Sequence, residues 1–268
     1  MVELITSAGV PIAFGRGCPL VLIAGPCVIE SEEHVHFLAG ELRRMLGTFV
    51  FKASFDKANR SSGDSWRGPG IAEGLRILAG LRGEGYAVLT DVHDVSQVGP
   101  AAEAVDILQI PAFLCRQTDL LLEAGSSGRV VNIKKGQFVA PHDIHLAAEK
   151  VASTGNSRVL LTERGSCFGY NNLVVDMRGL AIMRDTGWPV IFDATHSVQT
   201  PGAAGTASGG QPQFIAPLSR AAVAAGVDGV FFEVHEAPER ALSDGPNALR
   251  LDLVEPLWHA LQQIHQIA

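Results

Sequence analysis

The chain has 268 residues, of which 47% are hydrophobic and 18% are charged, and its formal net charge at pH 7 is −7. The length allows one large domain, and the negative charge argues against nucleic acid as the main partner. No run reaches the ~18 apolar residues of a membrane span, and the four cysteines have neither paired spacing nor a secretory leader before them. We therefore expect a reduced, cytoplasmic protein.

Short apolar runs dominate the chain from its beginning. Residues 1–15 are predicted to form a small β-hairpin, with Ala8 and Gly9 near its turn. The later runs are rich in valine, isoleucine and phenylalanine, which is typical of strands buried on both faces of a parallel sheet. Eight such runs occur, at residues 20–26, 49–54, 87–92, 106–111, 130–134, 159–164, 190–195 and 229–234.

Amphipathic stretches separate most of these runs. The alternation predicts one (β/α)8 TIM barrel over residues 1–268, with the hairpin capping its bottom. Residues 93–105 and 112–129 leave little room for long helices, so an open, doubly wound sheet remains an alternative. Against that alternative, no G-x-G-x-x-G motif follows the first run. The clearest helical stretches are residues 32–46, 70–84, 142–154 and 218–226.

Polar side chains end nearly every apolar run. In a barrel of this class the carboxyl ends of the strands meet at one mouth, where the active site lies. Loop polarity and chance explain such residues at a few strands, but their convergence at all eight favours an enzyme. These strand ends carry Cys27, Lys52, Ser54, Asp91, His93, Gln109, Lys134, Gln137, Arg164, His196 and Glu233.

Five cations fall near the ends of three strands. Arginine offers phosphate or carboxylate a bidentate fork and lysine offers a point charge, so the group favours a substrate with several anionic groups. The alternative is that these are solvated loop residues or partners of Asp56 and Asp91. The cations are Lys52, Lys57, Arg60, Lys134 and Arg164.

A second group has the composition of a metal site. Cys27, His196, Glu233 and Asp244 follow the first, seventh and eighth runs, which a closed barrel places side by side. A thiolate, an imidazole and two carboxylates suit Zn, Fe, Mn or Co. The residues alone leave this open, because most free cysteines are buried apolar groups. Competing histidines are His93, His142, His145 and His235.

Several segments together resemble the 3-deoxy-D-manno-octulosonate 8-phosphate synthase family, and the resemblance covers essentially the whole chain. KANRS at residues 57–61 is similar to the arabinose 5-phosphate enzyme, whereas the related seven-carbon synthase has KPRT there. The chain departs from the family in two segments: it has SCFGY where relatives have ANFGY, and KKGQF where KKPQF is common. Neither change alters a charged side chain. The segments are IAGPCVIES (23–31), FKASFDKANRSSGDSWRGPG (51–70), LTDVH (89–93), QIPAFLCRQTDLL (109–121), NIKKGQF (132–138), TERGSCFGYNNLVVDMRG (162–179), FDATHSVQ (192–199) and ASGG (207–210).

The resemblance implies roles for individual residues. Cys27 stands where a metal-independent branch has Asn, which implies the metal-dependent branch with Cys27, His196, Glu233 and Asp244 as ligands. Arg116 is expected to reach the sugar phosphate of a neighbouring subunit in a homotetramer. The implied catalytic set is Lys57, Asp91, His93 and Asp244. The implied substrate-binding set is Lys52, Ser54, Asn59, Arg60, Ser61, Gln109, Phe113, Arg116, Lys134, Gln137 and Arg164.

The implied reaction condenses phosphoenolpyruvate with D-arabinose 5-phosphate and water. It gives 3-deoxy-D-manno-octulosonate 8-phosphate and inorganic phosphate, an early step of lipopolysaccharide biosynthesis. Lys57 is expected to protonate the nascent alkoxide if neighbouring cations depress its pKa. Alternatives are the seven-carbon synthase acting on erythrose 4-phosphate, a Schiff-base aldolase using Lys52 or Lys134, and a barrel that only binds a sugar phosphate.

Residues 200–212 are rich in glycine and small side chains. This composition is typical of a mobile loop over the mouth, and equally of slack surface chain with no role. The sequence does not decide between the two.

Overall fold

The computed structural model describes residues 1–59, 66–202 and 209–268. The strands are β1 (Val2–Ile5), β2 (Pro11–Phe14), β3 (Val21–Gly25), β4 (Val50–Lys52), β5 (Ala87–Asp91), β6 (Ile107–Ile110), β7 (Val130–Lys134), β8 (Val159–Glu163), β9 (Ser166–Cys167), β10 (Leu173–Val174), β11 (Val190–Asp193), β12 (Gln199–Thr200), β13 (Gly209–Gly210), β14 (Gly229–His235) and β15 (Leu249–Arg250).

The helices alternate with the long strands. Within the described ranges, none combines the length and apolarity that crossing a bilayer demands. The helices are α1 (Glu32–Leu46), α2 (Ile71–Gly83), α3 (Val95–Ala104), α4 (Thr118–Ser126), α5 (His145–Ala152), α6 (Met177–Arg184), α7 (Ala194–Ser197), α8 (Ile215–Ala224) and α9 (Val254–His265).

Eight parallel strands of the described chain close into a barrel. Their order is β3, β4, β5, β6, β7, β8, β11 and β14, and β14 pairs in turn with β3. The pairing of β11 with β14 completes the ring, which confirms the predicted (β/α)8 fold and excludes the open sheet. Residues 93–105 and 112–129, which leave little room for long helices, contain α3 and α4, of ten and nine residues.

The N-terminal hairpin closes the bottom of the barrel, as predicted. Strands β1 and β2 pair antiparallel, and Gly9 takes a positive φ of 79° in the turn between them. The buried side chains Val2, Leu4, Ile12 and Phe14 pack in one cluster with apolar residues at the beginnings of the barrel strands. The hairpin is therefore the floor of the barrel interior.

The inner face of the barrel changes character along its length. Side chains two apart on a strand point to the same face, so a residue two positions beyond an inward apolar side chain also points inward. Val50, Leu89 and Phe231 belong to the inner cluster. Two residues further on, the same rows continue as Lys52, Asp91 and Glu233, so the interior is apolar near the floor and charged at the mouth.

We predict that Gly74→Ala in α2 lowers the free energy of unfolding. A Cβ at Gly74 would lie 2.3 Å from the Cβ of Phe55, a buried residue two positions before Lys57. Overpacking of this kind costs about 1–3 kcal/mol, and it opposes the ~1 kcal/mol by which alanine favours a helix over glycine. Urea unfolding of the purified variant measures the change.

The matched control is Gly80→Ala in the same helix, where an added Cβ has no atom within 4 Å. This variant is expected to gain stability by up to ~1 kcal/mol. A stabilised Gly74→Ala protein would contradict the packing argument.

Candidate active site

A cavity of about 480 Å³ opens at the carboxyl ends of the barrel strands. Eleven of the residues singled out from the sequence line it, although they come from segments distributed over most of the chain. They are Lys52, Lys57, Asn59, Asp91, His93, Phe113, Lys134, Gln137, Arg164, His196 and Asp244.

Two other predicted residues lie beneath the cavity and hold Asp91. Ser54 Oγ and Gln109 Nε2 each donate a hydrogen bond to the Asp91 carboxylate. Asn132 Nδ2 then donates to Gln109 Oε1 at 2.8 Å, and Thr162 Oγ1 donates to Asn132 Oδ1 at 2.6 Å. This ladder crosses β5, β6, β7 and β8, so it fixes the carboxylate relative to four strands.

The Asp91 carboxylate is kept ionised by its surroundings. Burial alone would raise its pKa, but the charges of Lys52, Lys57 and Lys134 outweigh burial and lower the pKa far below its usual value. Asp91 is therefore a fixed negative charge beside the cavity at any physiological pH.

Glu233 is a shared partner of several catalytic candidates. Its Oε1 atom lies 2.9 Å from Lys52 Nζ, 3.7 Å from Lys57 Nζ and 3.6 Å from His196 Nε2. Burial would raise the pKa of Glu233, but Lys52, His196 and Lys57 lower it well below the usual range. Its Oε2 atom is buried without a hydrogen-bond partner among the described residues, so the carboxylate has unused ligand capacity.

A second buried carboxylate, Asp193, holds Lys134 and His196. Lys134 Nζ lies 2.7 Å from Asp193 Oδ2, and His196 Nδ1 lies 2.8 Å from the same oxygen. Burial would raise the pKa of Asp193, yet His196 and Lys134 lower it well below its ordinary value. In the tautomer with its proton on Nδ1, His196 donates a hydrogen bond to this carboxylate. The lone pair on Nε2 is then available to a ligand.

The pKa of Lys57 is raised, whereas the expectation from the sequence concerned only a lowered pKa. Burial lowers it, but Cys27, Glu233 and Asp91 outweigh burial and raise it well above the usual value. The expectation considered only the neighbouring cations, whereas acidic groups dominate the surroundings. Lys57 is therefore an ammonium near neutral pH, and the depressed pKa on which its expected proton donation was conditional is not found.

Arg164 has binding capacity that the protein does not use. Its side chain is buried, with 5% of the residue exposed, and burial lowers its pKa. Its Nη2 donates to Gln199 Oε1 at 3.0 Å, but its Nη1 is buried with no hydrogen-bond partner among the described residues. Arg164 also lines the cavity, and a buried guanidinium with an unused donor there favours an anionic ligand, because leaving a buried charge unpaired is costly.

Three of the four predicted metal ligands form one group. One ligand atom each of Cys27, Glu233 and Asp244 lies within 4.8 Å of the other two. The Cys27 sulfur is 3.3 Å from Asp244 Oδ2 and 3.1 Å from Ser243 Oγ. Burial raises the pKa of the Cys27 thiol, with Asp244 and Glu233 adding to the rise, so an ion would have to displace the thiol proton.

The fourth predicted ligand, His196, adjoins this group through Glu233 but does not lie within it. Its Nδ1 is held by Asp193, an arrangement that orients metal-bound imidazoles in many proteins. The unused Glu233 oxygen, the thiol and this oriented imidazole fit a divalent first-row ion with mixed sulfur, nitrogen and oxygen ligands.

The other histidines differ in their positions. His93 lines the cavity, and burial lowers its pKa, so it is neutral near pH 7. His142 and His145 lie at the beginning of α5, outside the cavity, and the His142 side chain is 71% exposed. His235 is buried in a separate group with Glu30 and His34.

Some predicted residues are not brought to the mouth. Arg116 is exposed and borders a different cavity of about 360 Å³, together with Phe138 and Lys150. A single subunit therefore does not bring its own Arg116 to the site. Arg60 and Ser61 lie outside the described residues, as does the part of the 200–212 segment from 203 to 208.

Sequence reasoning missed several contributors to the site. Asp193, Asn132 and Thr162 all occupy inward rows of their strands, so the two-residue alternation offered a signal for them. Ser243 lies in irregular chain and Gln199 in the two-residue strand β12, which is too short for a periodic pattern to mark a side chain as inward.

Comparison with known proteins gives a consistent result along the chain. Residues 3–268 match the model of the DAHP synthetase I family. The chain is similar to a 2-dehydro-3-deoxyphosphooctonate aldolase of Syntrophotalea carbinolica, with 62% identity over 96% of this chain and 94% of the relative. A protein of the same name from Desulfatibacillum aliphaticivorans is 59% identical over 98% of both chains. Another, from Citrifermentans bemidjiense, is 57% identical over 100% of this chain and 99% of its own.

We predict that Asp91→Asn changes how stability depends on pH. The folded pKa of Asp91 is lowered, so its contribution is complete above the unfolded-state pKa of ~3.9 and is lost as the pH falls below it. Asn cannot titrate. The variant should be less stable than the unchanged protein near neutral pH, and the difference should shrink as the pH falls toward ~3.

Urea unfolding across this pH range, with Asp119→Asn as the control, provides the measurement. Asp119 is an exposed acidic residue of α4, and its variant should follow the unchanged protein. A constant difference between Asp91→Asn and the unchanged protein at every pH would rule out the electrostatic account.

Proposed function

The chain belongs to the DAHP synthetase I family, and from this we propose that it condenses phosphoenolpyruvate with D-arabinose 5-phosphate and water. The products are 3-deoxy-D-manno-octulosonate 8-phosphate and inorganic phosphate. The names of the similar proteins support this choice. The observation that carries it is the buried Arg164, which lines the same cavity as Lys57 and Lys134 and whose Nη1 has no hydrogen-bond partner among the described residues.

The chemistry divides into one carbon–carbon bond and one hydrolytic cleavage. C3 of phosphoenolpyruvate bonds to the aldehyde carbon of the sugar, and a water oxygen adds to C2. The resulting hemiketal phosphate breaks its C2–O bond, which releases inorganic phosphate and leaves the keto acid. One proton is needed at the former aldehyde oxygen, and one is released by the water.

The cations of the cavity suit the binding of two anions that repel each other. Arg164 offers a fork for the carboxylate or phosphate of phosphoenolpyruvate, and Lys134 and Lys57 add point charges beside it. Holding the two reactants in contact supplies about 7–11 kcal/mol through positioning alone. Asn59 is an exposed residue of the same cavity, and in this proposal it contacts the sugar phosphate.

Lys57 acts in this proposal as a fixed charge. Because its pKa is raised, the ammonium keeps its proton and stabilises the developing alkoxide as a hydrogen-bond donor. Glu233 lies beside Lys57 and Lys52, Asp91 helps to raise the pKa of Lys57, and His93, whose pKa burial lowers, is available to accept a proton from water.

We extend the proposal to a divalent metal held by Cys27, His196, Glu233 and Asp244, with Zn, Fe, Mn or Co all compatible. Such an ion, when bound, supplies Lewis acidity or lowers the pKa of a bound water. The protein's part is to orient His196 through Asp193 and to keep Cys27, Glu233 and Asp244 together. This assignment corresponds to the metal-dependent branch.

A Schiff-base mechanism has less support from the described contacts. Lys52 is 1% exposed and bonds to both Glu233 and the Cys27 carbonyl. Lys134 is paired with Asp193. A nucleophilic amine must be neutral and free to attack, and these amines are held as ion pairs.

A homotetramer is also part of the proposal. Arg116 is exposed away from the mouth of its own subunit, and Phe138, which borders the same cavity as Arg116, is 60% exposed. Exposed apolar side chains of this size favour burial in a subunit interface, where Arg116 would be free to reach a neighbouring site.

We predict that phosphoenolpyruvate and arabinose 5-phosphate together give stoichiometric phosphate release, with a larger kcat/KM than erythrose 4-phosphate. Arg164→Ala should lower kcat/KM by about 100-fold, because it removes a preorganised donor from the cavity. Exposed Arg178→Ala is the control and should behave as the unchanged protein. A preference for erythrose 4-phosphate would favour the seven-carbon synthase, and binding without phosphate release would leave only a sugar-phosphate binding protein.

We also predict that exhaustive chelation abolishes phosphate release and that adding a divalent metal restores it. Cys27→Ala should bind less metal and should not recover activity, because a ligand is lost from a site of three neighbouring donors. Metal content and phosphate release are measured on the same samples, with Cys167→Ala as the control for an exposed thiol. Full activity of chelated Cys27→Ala would remove the metal from the proposal.

A further inference from the structure

A group of ionisable side chains lies next to the proposed metal site without belonging to it. Glu30 follows β3 three residues after Cys27, and His235 ends β14 two residues after Glu233. Ligand atoms of Glu30, His34 and His235 lie within 4.8 Å of one another. By spacing alone the group resembles a second cation site.

The hydrogen bonds of His235 argue against a second cation. The backbone N–H of Ala237 donates to His235 Nδ1 at 3.0 Å, so this nitrogen carries the lone pair. In the neutral ring the proton is then on Nε2, which has no lone pair left for an ion. That buried Nε2 lies 3.4 Å from Glu30 Oε1 but makes no hydrogen bond among the described residues.

The Glu30 carboxylate reaches the loop that carries Asp244. The same Oε1 atom accepts a hydrogen bond from the backbone N–H of Leu242 at 2.8 Å. The next residue, Ser243, places its hydroxyl 3.1 Å from the Cys27 sulfur, and Asp244 follows it. One carboxylate oxygen therefore bonds the chain after β3 to this loop, and it lies near the end of β14.

The loop has an uncommon backbone conformation and a close approach to the chain before it. Asp244 takes φ 49° and ψ 24°, a left-handed conformation that non-glycine residues rarely adopt. Gly245 is so close to the chain before it that a Cβ would lie 2.2 Å from the Pro238 carbonyl oxygen. Uncommon backbone conformations persist where the surrounding contacts determine them.

We propose that Glu30 is a positioning residue that fixes the Leu242–Asp244 loop and so keeps Asp244 beside Cys27. It acts through the backbone of Leu242 and touches neither substrate nor metal. The role deepens the proposed function, because Asp244 is one of the proposed metal ligands.

Two variants of Glu30 separate the reach of its side chain from its charge. Glu30→Gln keeps an acceptor oxygen at the position of Oε1, where it faces both Leu242 N–H and His235 Nε2. Glu30→Asp keeps the charge but withdraws the oxygens by one methylene. We expect Glu30→Gln to preserve the loop and Glu30→Asp to release it.

Hydrogen–deuterium exchange of metal-free protein is the first measurement, read on peptides that cover residues 242–247. Exchange should be faster in Glu30→Asp and unchanged in Glu30→Gln. The control is Glu33→Asp in the exposed first turn of α1, which makes the same change of length without facing the loop. Circular dichroism checks that each variant is folded.

Metal affinity is the second measurement, by competition with a chromophoric chelator. Loss of a group that orients a ligand typically weakens metal binding by about 10–100-fold, and we expect this for Glu30→Asp. Its cobalt complex should also show an altered ligand-field spectrum, whereas Glu30→Gln should match the unchanged protein.

The outcomes distinguish this inference from the proposed function. Equal exchange and equal metal affinity in Glu30→Asp and the unchanged protein would overturn the positioning role. Faster exchange in Glu30→Asp, in a protein that binds no metal, would support the positioning role and refute the metal-dependent function. Two bound ions per chain, one of them lost in His34→Ala, would overturn the assignment of the His235 proton.

Discussion

The closed barrel imposes an alternation on every strand, and the site depends on this constraint. Each inward row must fill the interior near the floor, and valine, leucine and phenylalanine do so. The same rows end two residues later at the mouth, where Lys52, Asp91 and Glu233 replace the apolar side chains. A one-residue shift of any strand would exchange these groups with outward, apolar neighbours. The packing that stabilises the fold therefore also fixes the position of the charges.

Charge pairing makes this dense group of ionisable residues tolerable in a buried place. Glu233 is close to three positively charged or basic groups, and Asp193 is close to two. Each carboxylate lowers the desolvation cost of its partners, and removal of one would leave buried cations uncompensated. The exception is Arg164, which keeps a free donor. Most buried charges of the site therefore have a partner within the protein, whereas the Arg164 guanidinium has a donor left for an anion.

The sequence was informative where the structure is periodic and uninformative where it is not. The strands, their order and the location of the mouth followed from short apolar runs ended by polar residues. Asp193 was missed, although its inward row could have revealed it. The raised pKa of Lys57 could not be predicted, since it depends on the summed distances to Cys27, Glu233 and Asp91. Nor could the sequence show that Glu30 contacts a loop more than two hundred residues away.

The hairpin floor limits how compounds can reach the cavity at the mouth of the barrel. Val2, Leu4, Ile12 and Phe14 cover the floor, and the apolar side chains above them fill the interior, which is a packed core and not a pore. A molecule held against the deepest cations blocks nothing above it, but one seated nearer the surface obstructs the path below. Under the proposed reaction, a compound held by the deepest cations would therefore enter before one held nearer the surface and leave after it. The packed interior, closed below by the two N-terminal strands, thus leaves the mouth as the approach to the cavity among the described residues.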